Sequence, residues 1–266
     1  MTTNSQLVIA VLASALSQLA QADRAVGIKA FESADYGQAL TELRPVAIAG
    51  NAEAQYTLGV MYAQGWGVLA DPEQAFAWYQ RAAVQDYAKA EHNLAVMIEG
   101  GEVATPDPAA ARRWFERAAN HGSAKAALEL GLRCYRGFDD SGPDYARALG
   151  WWERAFSAGE PDAGYNLGIL HRRGLGVDKD INSATRWWER AARAGSLVAQ
   201  NALGAAYQSA AGVPLEPVKA YAWYQVAARG GLRVAAQNAT LLEAQLSPEQ
   251  LAHARDLSTE LMTQSP

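Results

Sequence analysis

The chain has 266 residues, half of them apolar, and carries a net charge of -5. That balance excludes the basic stripe that a nucleic-acid backbone requires, so no nucleic-acid partner is expected. A lone cysteine, Cys134, excludes an internal disulfide and a multi-thiolate metal centre. In chain order, residues 1–22 contain no charged side chain; an apolar run from Leu7 to Leu16 leads to Ala20-Gln21-Ala22. This is the pattern of a secretory signal peptide cut before Asp23, although Met1 to Gln6 lacks the usual Lys or Arg. The alternative is an apolar helix packed on the first repeat. The run is broken by Ser14, Ser17 and Gln18 and falls short of the ~20 residues of a membrane span. No cysteine near the cut offers a lipid attachment point, so no stable membrane anchor is expected. The expected location is periplasmic or secreted.

Residues 23–53 read as an N-terminal capping hairpin, with Ala39 in register 36 residues before Ala75. Aromatic pairs then recur: Trp78-Tyr79, Trp114-Phe115, Trp151-Trp152, Trp187-Trp188 and Trp223-Tyr224, their first members 36, 37, 36 and 36 residues apart. A period of this length is the mark of stacked helical hairpins, each burying the same face against its neighbour. Counted from the alanines that open each unit, the five repeats are 54–89, 90–125, 126–162, 163–198 and 199–234. Ala54, Leu58 and Tyr62 share one face of a first helix, and Ala75, Trp78, Tyr79, Ala82 and Ala83 one face of a second. A glycine within the first helix, as at Gly59, costs about 1 kcal/mol against alanine and predicts close approach of another helix.

Gly65, Gly67, Gly174 and Gly176 mark the turns after first helices. Asp71-Pro72 and Thr105-Pro106 read as a capping side chain before a first-turn proline. Gly122, Gly159, Gly195 and Gly230 close second helices, and Asp86 breaks that rule. The aromatic signature stops past Ala235, and residues 236–266 read as C-terminal capping helices and a tail. There Ser247-Pro248-Glu249-Gln250 is a capping box opening a helix to about Met262.

Enzymatic motifs are missing. Gly65-Trp66-Gly67 has neither the preceding strand nor the lysine of a phosphate loop. His92, His121, His171 and His253 form no pair at helical metal-ligand spacing, so no metal site, cofactor or catalytic residue is expected. His171 and Cys134 fall in the core slot of Tyr62, whereas His92 and His121 are read as solvent-facing. The acidic loop from Asp139 to Asp144 lacks the spacing of a calcium loop and reads as a solvated irregular turn.

The candidate binding residues lie three and ten positions after each initiating alanine. They include Asn93, Glu129, Asn166 and Asn238 in one row and Arg136 and Arg173 in the other. With Arg133 and Arg172 the arginines form a basic patch in an acidic chain, suited to an acidic or carboxylate-bearing protein segment. The alternative is an ordinary solvated face.

The blocks Leu58 to Val68 and Leu167 to Val177, with the Trp-Tyr-Gln-Arg-Ala-Ala and Trp-Trp-Glu-Arg-Ala-Ala segments after them, resemble the Sel1-like repeat. The 36-residue period separates them from the tetratricopeptide repeat, which Asp35 to Leu40 resembles. The resemblance implies an all-α fold, a right-handed α-solenoid of antiparallel helix pairs. It also implies a non-enzymatic scaffold of the bacterial envelope, monomeric, that binds a partner protein in its concave groove. Cysteine-rich secreted relatives linked to β-lactam hydrolysis offer the alternative of a hydrolase, but their paired cysteines are absent here.

Overall fold

The computed structural model describes residues 23–137 and 142–263. The signal-peptide reading and half of the acidic loop, residues 139–141, lie outside the described residues. Within them the chain is helical with no strand. The helices are α1 (23–32), α2 (Tyr36–Ile48), α3 (Ala52–Gln64), α4 (Pro72–Ala83), α5 (Ala88–Gly100), α6 (Pro108–Asn120) and α7 (Ala124–Arg136). They continue with α8 (Tyr145–Ser157), α9 (Pro161–Arg173), α10 (Ile181–Arg193), α11 (Leu197–Ser209), α12 (Pro217–Arg229), α13 (Arg233–Glu243) and α14 (Pro248–Thr263). The chain forms two compact units, residues 1–123 and 124–266.

In the first unit α3 packs on α4 and α5 on α6, and α2 and α4 also touch the helix that follows them. In the second unit the pairs are α7 with α8, α9 with α10 and α11 with α12, while α13 and α14 both cover α12. Within each unit a helix pair is thus a hairpin stacked on the next, the α-solenoid arrangement.

The aromatic pairs divide their labour. The second member is buried in every repeat: Tyr79, Phe115, Trp152, Trp188 and Tyr224 are at most 3% exposed. Its ring lies across the glycine of the preceding first helix. A Cβ built on Gly59 would meet Tyr79, and one on Gly131, Gly168 or Gly204 would meet Trp152, Trp188 or Tyr224 respectively. Polar atoms tether several of these rings. Trp152 Nε1 donates to the Leu128 carbonyl (3.3 Å), Trp188 Nε1 to that of Tyr165 (3.2 Å), and Tyr224 Oη to Gln208 Oε1 (2.8 Å). The repeat that has Ala95 in this slot pairs it, by register, with Phe115, whose ring carries no polar atom.

The first member of the pair is capped by an arginine three residues on. Arg81, Arg117, Arg154 and Arg190 lie 4.3–4.8 Å from the ring centroids of Trp78, Trp114, Trp151 and Trp187. Cation–π contact and a buried aliphatic stem both favour that geometry. The last repeat has Val226 there, 6% exposed.

Helix ends mostly follow the sequence, with two corrections. Asp71 accepts from Gln74 N (3.0 Å) ahead of Pro72. Ser247 Oγ and Gln250 Oε1 exchange hydrogen bonds with each other's backbone N–H (3.2 and 2.9 Å), as a capping box requires. Thr105-Pro106, however, is not a cap. Asp107 accepts from Ala110 N (2.8 Å) and Pro108 opens α6. The second Asp-Pro pair wins because a carboxylate beside the helix N-terminus meets both an unpaired N–H and the positive end of the dipole. Likewise Gly230 is not the left-handed closing residue. Gly231 takes φ +99, while position 230 needs glycine because a Cβ there would run into Leu197.

Candidate functional site

In the second unit the first helices α9, α11 and α13 border a hollow of about 360 Å³. Its apolar lining is Ile169, Ala202, Ala205 and Ala206 with Trp188, Val198 and Val234. The hollow exists because α11 carries alanines where a larger residue would fill the space. Val234 is 46% exposed, so the apolar surface is open to solvent. Two polar features interrupt it. Asn201 Oδ1 accepts from Asn238 Nδ2 (2.9 Å) across adjacent first helices. At the C-terminal end of α9, Arg172 reaches over the Trp188 ring, 5.8 Å from its centroid.

The sequence-selected residues distribute unevenly around this geometry. Asn238 reaches the site through Asn201, and Arg172 lines it, but Asn166 and Arg173 do not. Arg173 instead donates to Tyr135 Oη (3.0 Å). Arg133 is half-buried and lies 3.9 Å from Glu129 on the same helix, while Arg136 is exposed at the end of α7. In the first unit Asn93 is half-buried, with its side chain hydrogen-bonded to the phenols of Tyr56 and Tyr79. Burial pushes the Tyr79 phenol up to about 12, and the Asn93 bond opposes part of that rise. Beside Ala202 and Ser209, which belong to the rows chosen in the sequence, the hollow is lined by a neighbouring row: Tyr165, Asn201, Ile169 and Ala205 fall two and six residues after the initiating alanines.

A second polar arrangement escaped the sequence reading altogether. The residue after each initiating alanine faces the end of the preceding second helix. Gln55, 5% exposed, donates through Nε2 to the Ala47 carbonyl (2.9 Å) and accepts from Gln85 Nε2 (2.8 Å). Gln200, 2% exposed, donates to the Ala192 carbonyl (3.1 Å). The same slot holds Glu91, 0% exposed, and a carboxylate cannot donate to the carbonyl. Arg117 Nη2 does so instead, reaching the Ala83 carbonyl (3.3 Å) and Asp86 Oδ1 (2.6 Å), while its Nε stands 2.9 Å from Glu91 Oε1. His121, in the slot of Gln85, places Nδ1 2.8 Å from Glu91 Oε2. His121 is exposed, as expected, and the correction is that one of its ring nitrogens is also held by a buried carboxylate. His92 is corrected too, since it is half-buried with its ring edge-on to Phe115 (centroids 5.5 Å). Only a register comparison at this one slot, which carries no signature residue, could have found the cluster.

Cys134 is 1% exposed and out of reach of a substrate. His171 is half-buried, as is Tyr62 in the same slot. No helix among the described residues is long and apolar enough to cross a membrane.

Comparison with known proteins follows the same lines. The model of the Sel1 repeat matches residues 52–87, 88–123, 124–160, 161–196 and 197–232. Among solved structures, the chain is similar to a Sel1 repeat protein from Oxalobacter formigenes: 29% identity, 88% of this chain and 98% of that one covered, TM-score 0.77. It is also similar to c5321, a protective antigen present in uropathogenic Escherichia coli strains and displaying an SLR fold (23% identity, 94% and 62% covered, TM-score 0.55). A third is the immunity protein PA5088 from Pseudomonas aeruginosa (17% identity, 90% and 82% covered, TM-score 0.50). The last two likenesses speak to fold alone. A search of curated proteins found no match.

Proposed function

This chain belongs to the Sel1 repeat family, and we propose that it is a non-enzymatic protein-interaction scaffold that docks a segment of a partner protein in the hollow bordered by α9, α11 and α13. The observation that carries this is the hollow itself, an open apolar floor with a cation at one edge and a carboxamide pair at another. An extended segment suits those features. An aliphatic side chain covers Ile169, Ala202 and Ala205, its neighbouring peptide groups face the polar atoms of Asn201 and Asn238, and a carboxylate meets Arg172. Charge complementarity at the rim selects acidic segments and speeds their encounter, while the apolar contact sets the lifetime. The signal-like pattern of residues 1–22 supports action in the bacterial envelope, with the mature chain as a monomer.

The test is cross-linking in the native cell with a C-terminal tag, comparing wild type, Ala205→Glu/Arg172→Glu and Arg186→Glu. Arg186 is an exposed residue of the second helix α10, away from the hollow. The proposal expects a dominant adduct that survives Arg186→Glu and vanishes in the double variant. An adduct indifferent to the double variant contradicts it, as does retention of the tagged chain in the cytoplasm for the envelope assignment.

A further inference from the structure

Three residues that no other repeat has in their slots meet at one point in the first unit. The turn after each second helix carries a glycine in the left-handed region: Gly50, Gly122, Gly159, Gly195 and Gly231 have φ between +92 and +103. In that slot Asp86 holds φ +62, a conformation that favours glycine, and so presents a carboxylate where the other turns present none. Five residues on, the buried amide of Gln55 and Gln200 becomes the buried carboxylate of Glu91. In the slot of Gln85 stands the imidazole of His121. One ligand atom from each of Asp86, Glu91 and His121 lies within 4.8 Å of the other two.

Charge and hydrogen bonding at this point are incompletely matched. Two carboxylates face one guanidinium. The Arg117 Nε contact with Glu91 Oε1 is short, at 2.9 Å, but the N–H is not directed at the oxygen, which is buried without a hydrogen bond. Arg117 thus partners that oxygen by charge alone, and a fully buried carboxylate oxygen without a directed hydrogen bond is costly. It faces the gap that the guanidinium bridges between Glu91 and Asp86, and His121 Nε2 stands 3.9 Å from Asp86 Oδ1 across the same gap.

We propose that Asp86, Glu91 and His121 form a binding site for a divalent transition-metal ion of the Zn²⁺ type, with the ion taking the position between the two carboxylates that Arg117 bridges here. One imidazole nitrogen with two carboxylate oxygens favours Zn²⁺ and its neighbours over the all-oxygen shells of Mg²⁺ and Ca²⁺. Metal–ligand bonds of about 2.0–2.2 Å require the three donor atoms to draw together. The geometry permits this: Asp86 sits on an exposed turn and His121 at the end of α6, while Glu91, inside α5, is the fixed member. Arg117 already lies over the Trp114 ring, at 4.8 Å, and can stay on that surface as it leaves the carboxylates. Water supplies the fourth ligand from the open side.

The variants that test the site come from the protein's own other repeats, so they keep the fold. Asp86→Gly restores the residue of the equivalent turns, and His121→Gln restores that of the Gln55–Gln85 pair. The full chain, melted by circular dichroism to confirm folding, is titrated with ZnCl₂ by calorimetry and with CoCl₂ by absorbance. Wild type is expected to bind one ion and to give a Co²⁺ ligand-field spectrum. Asp86→Gly/His121→Gln should lose about tenfold or more in affinity. Arg117→Gln, which removes the competing cation, should bind more tightly than wild type. No heat and no spectrum with wild type, or equal binding by the double variant, overturns the site. Weaker binding by Arg117→Gln overturns the exchange.

Discussion

Gly168 gives the sharpest test of the packing, because two effects on one residue have opposite signs. It lies inside α9, where alanine is favoured over glycine by about 1 kcal/mol. Against this, a Cβ at Gly168 would lie within 2.8 Å of three atoms of the Trp188 indole. Real Cβ contacts do not come so close, so the ring must move. Trp188 is 3% exposed and its Nε1 is held by the Tyr165 carbonyl at 3.2 Å. Displacing a packed ring costs about 1–3 kcal/mol, and losing that hydrogen bond about another 1 kcal/mol. The balance for Gly168→Ala is a net loss of about 1–3 kcal/mol, obtained by subtracting the helix gain from those two costs. Gly150→Ala is the matched control. It too is inside a helix, but nothing lies within 4 Å of the added Cβ, so the same substitution should stabilise by up to about 1 kcal/mol. Adding Trp188→Phe to Gly168→Ala reproduces the Ala95–Phe115 combination of another repeat. The loss in the double variant should then fall short of the sum of the singles by about 1 kcal/mol. Urea unfolding followed by circular dichroism measures all four. If Gly168→Ala stabilises as Gly150→Ala does, the ring is not held against the helix and the packing argument fails.

Other consequences follow from the same contacts. Because burial raises Tyr79 to about 12, its folded-state value exceeds its unfolded value; its stabilisation is complete below pH ~10 and is lost as pH rises toward 12. About 2–3 kcal/mol of alkaline sensitivity is therefore assigned to this buried phenol; Tyr79→Phe should flatten the fall in melting temperature over that window, and an unchanged fall would refute the assignment. Arg190, 4.3 Å from the Trp187 centroid, should cost about 0.5–1 kcal/mol on replacement by alanine, measured by thermal unfolding. Ser247→Ala removes one half of the capping box of α14, and about 1 kcal/mol of stability should go with it in the same assay.

The architecture was legible in the sequence because stacking repeats its demands. Each buried ring, each glycine beneath it and each turn returns at a fixed interval, so periodicity alone discloses the hairpins. Features that occur once carry no such redundancy. Thr105-Pro106 and Asp107-Pro108 are equivalent as text, and what separates them is which carboxylate or hydroxyl meets the helix N-terminus. The arginine three residues after the Trp of four repeats was visible in the sequence, but its place over that ring depends on how the two members of the aromatic pair are turned in the fold. The hollow shows the limit most clearly. Choosing a helix row requires an angular position within about one residue, and the alignment of alanines fixes the core face more firmly than the opening beside it. The Asp86–Glu91–His121 cluster joins positions up to 35 residues apart that are unremarkable singly. It becomes visible only when each is compared with its counterpart in the next repeat.

The central claim, that the face bordered by α9, α11 and α13 is the docking surface, is tested most directly by a photo-cross-linking amino acid placed in the cell at Ala205, inside the hollow, and separately at Arg186 on α10. The account predicts a discrete partner adduct from position 205 that disappears when Arg172→Glu is added, and none from position 186. Adducts from 186 with none from 205 would contradict it.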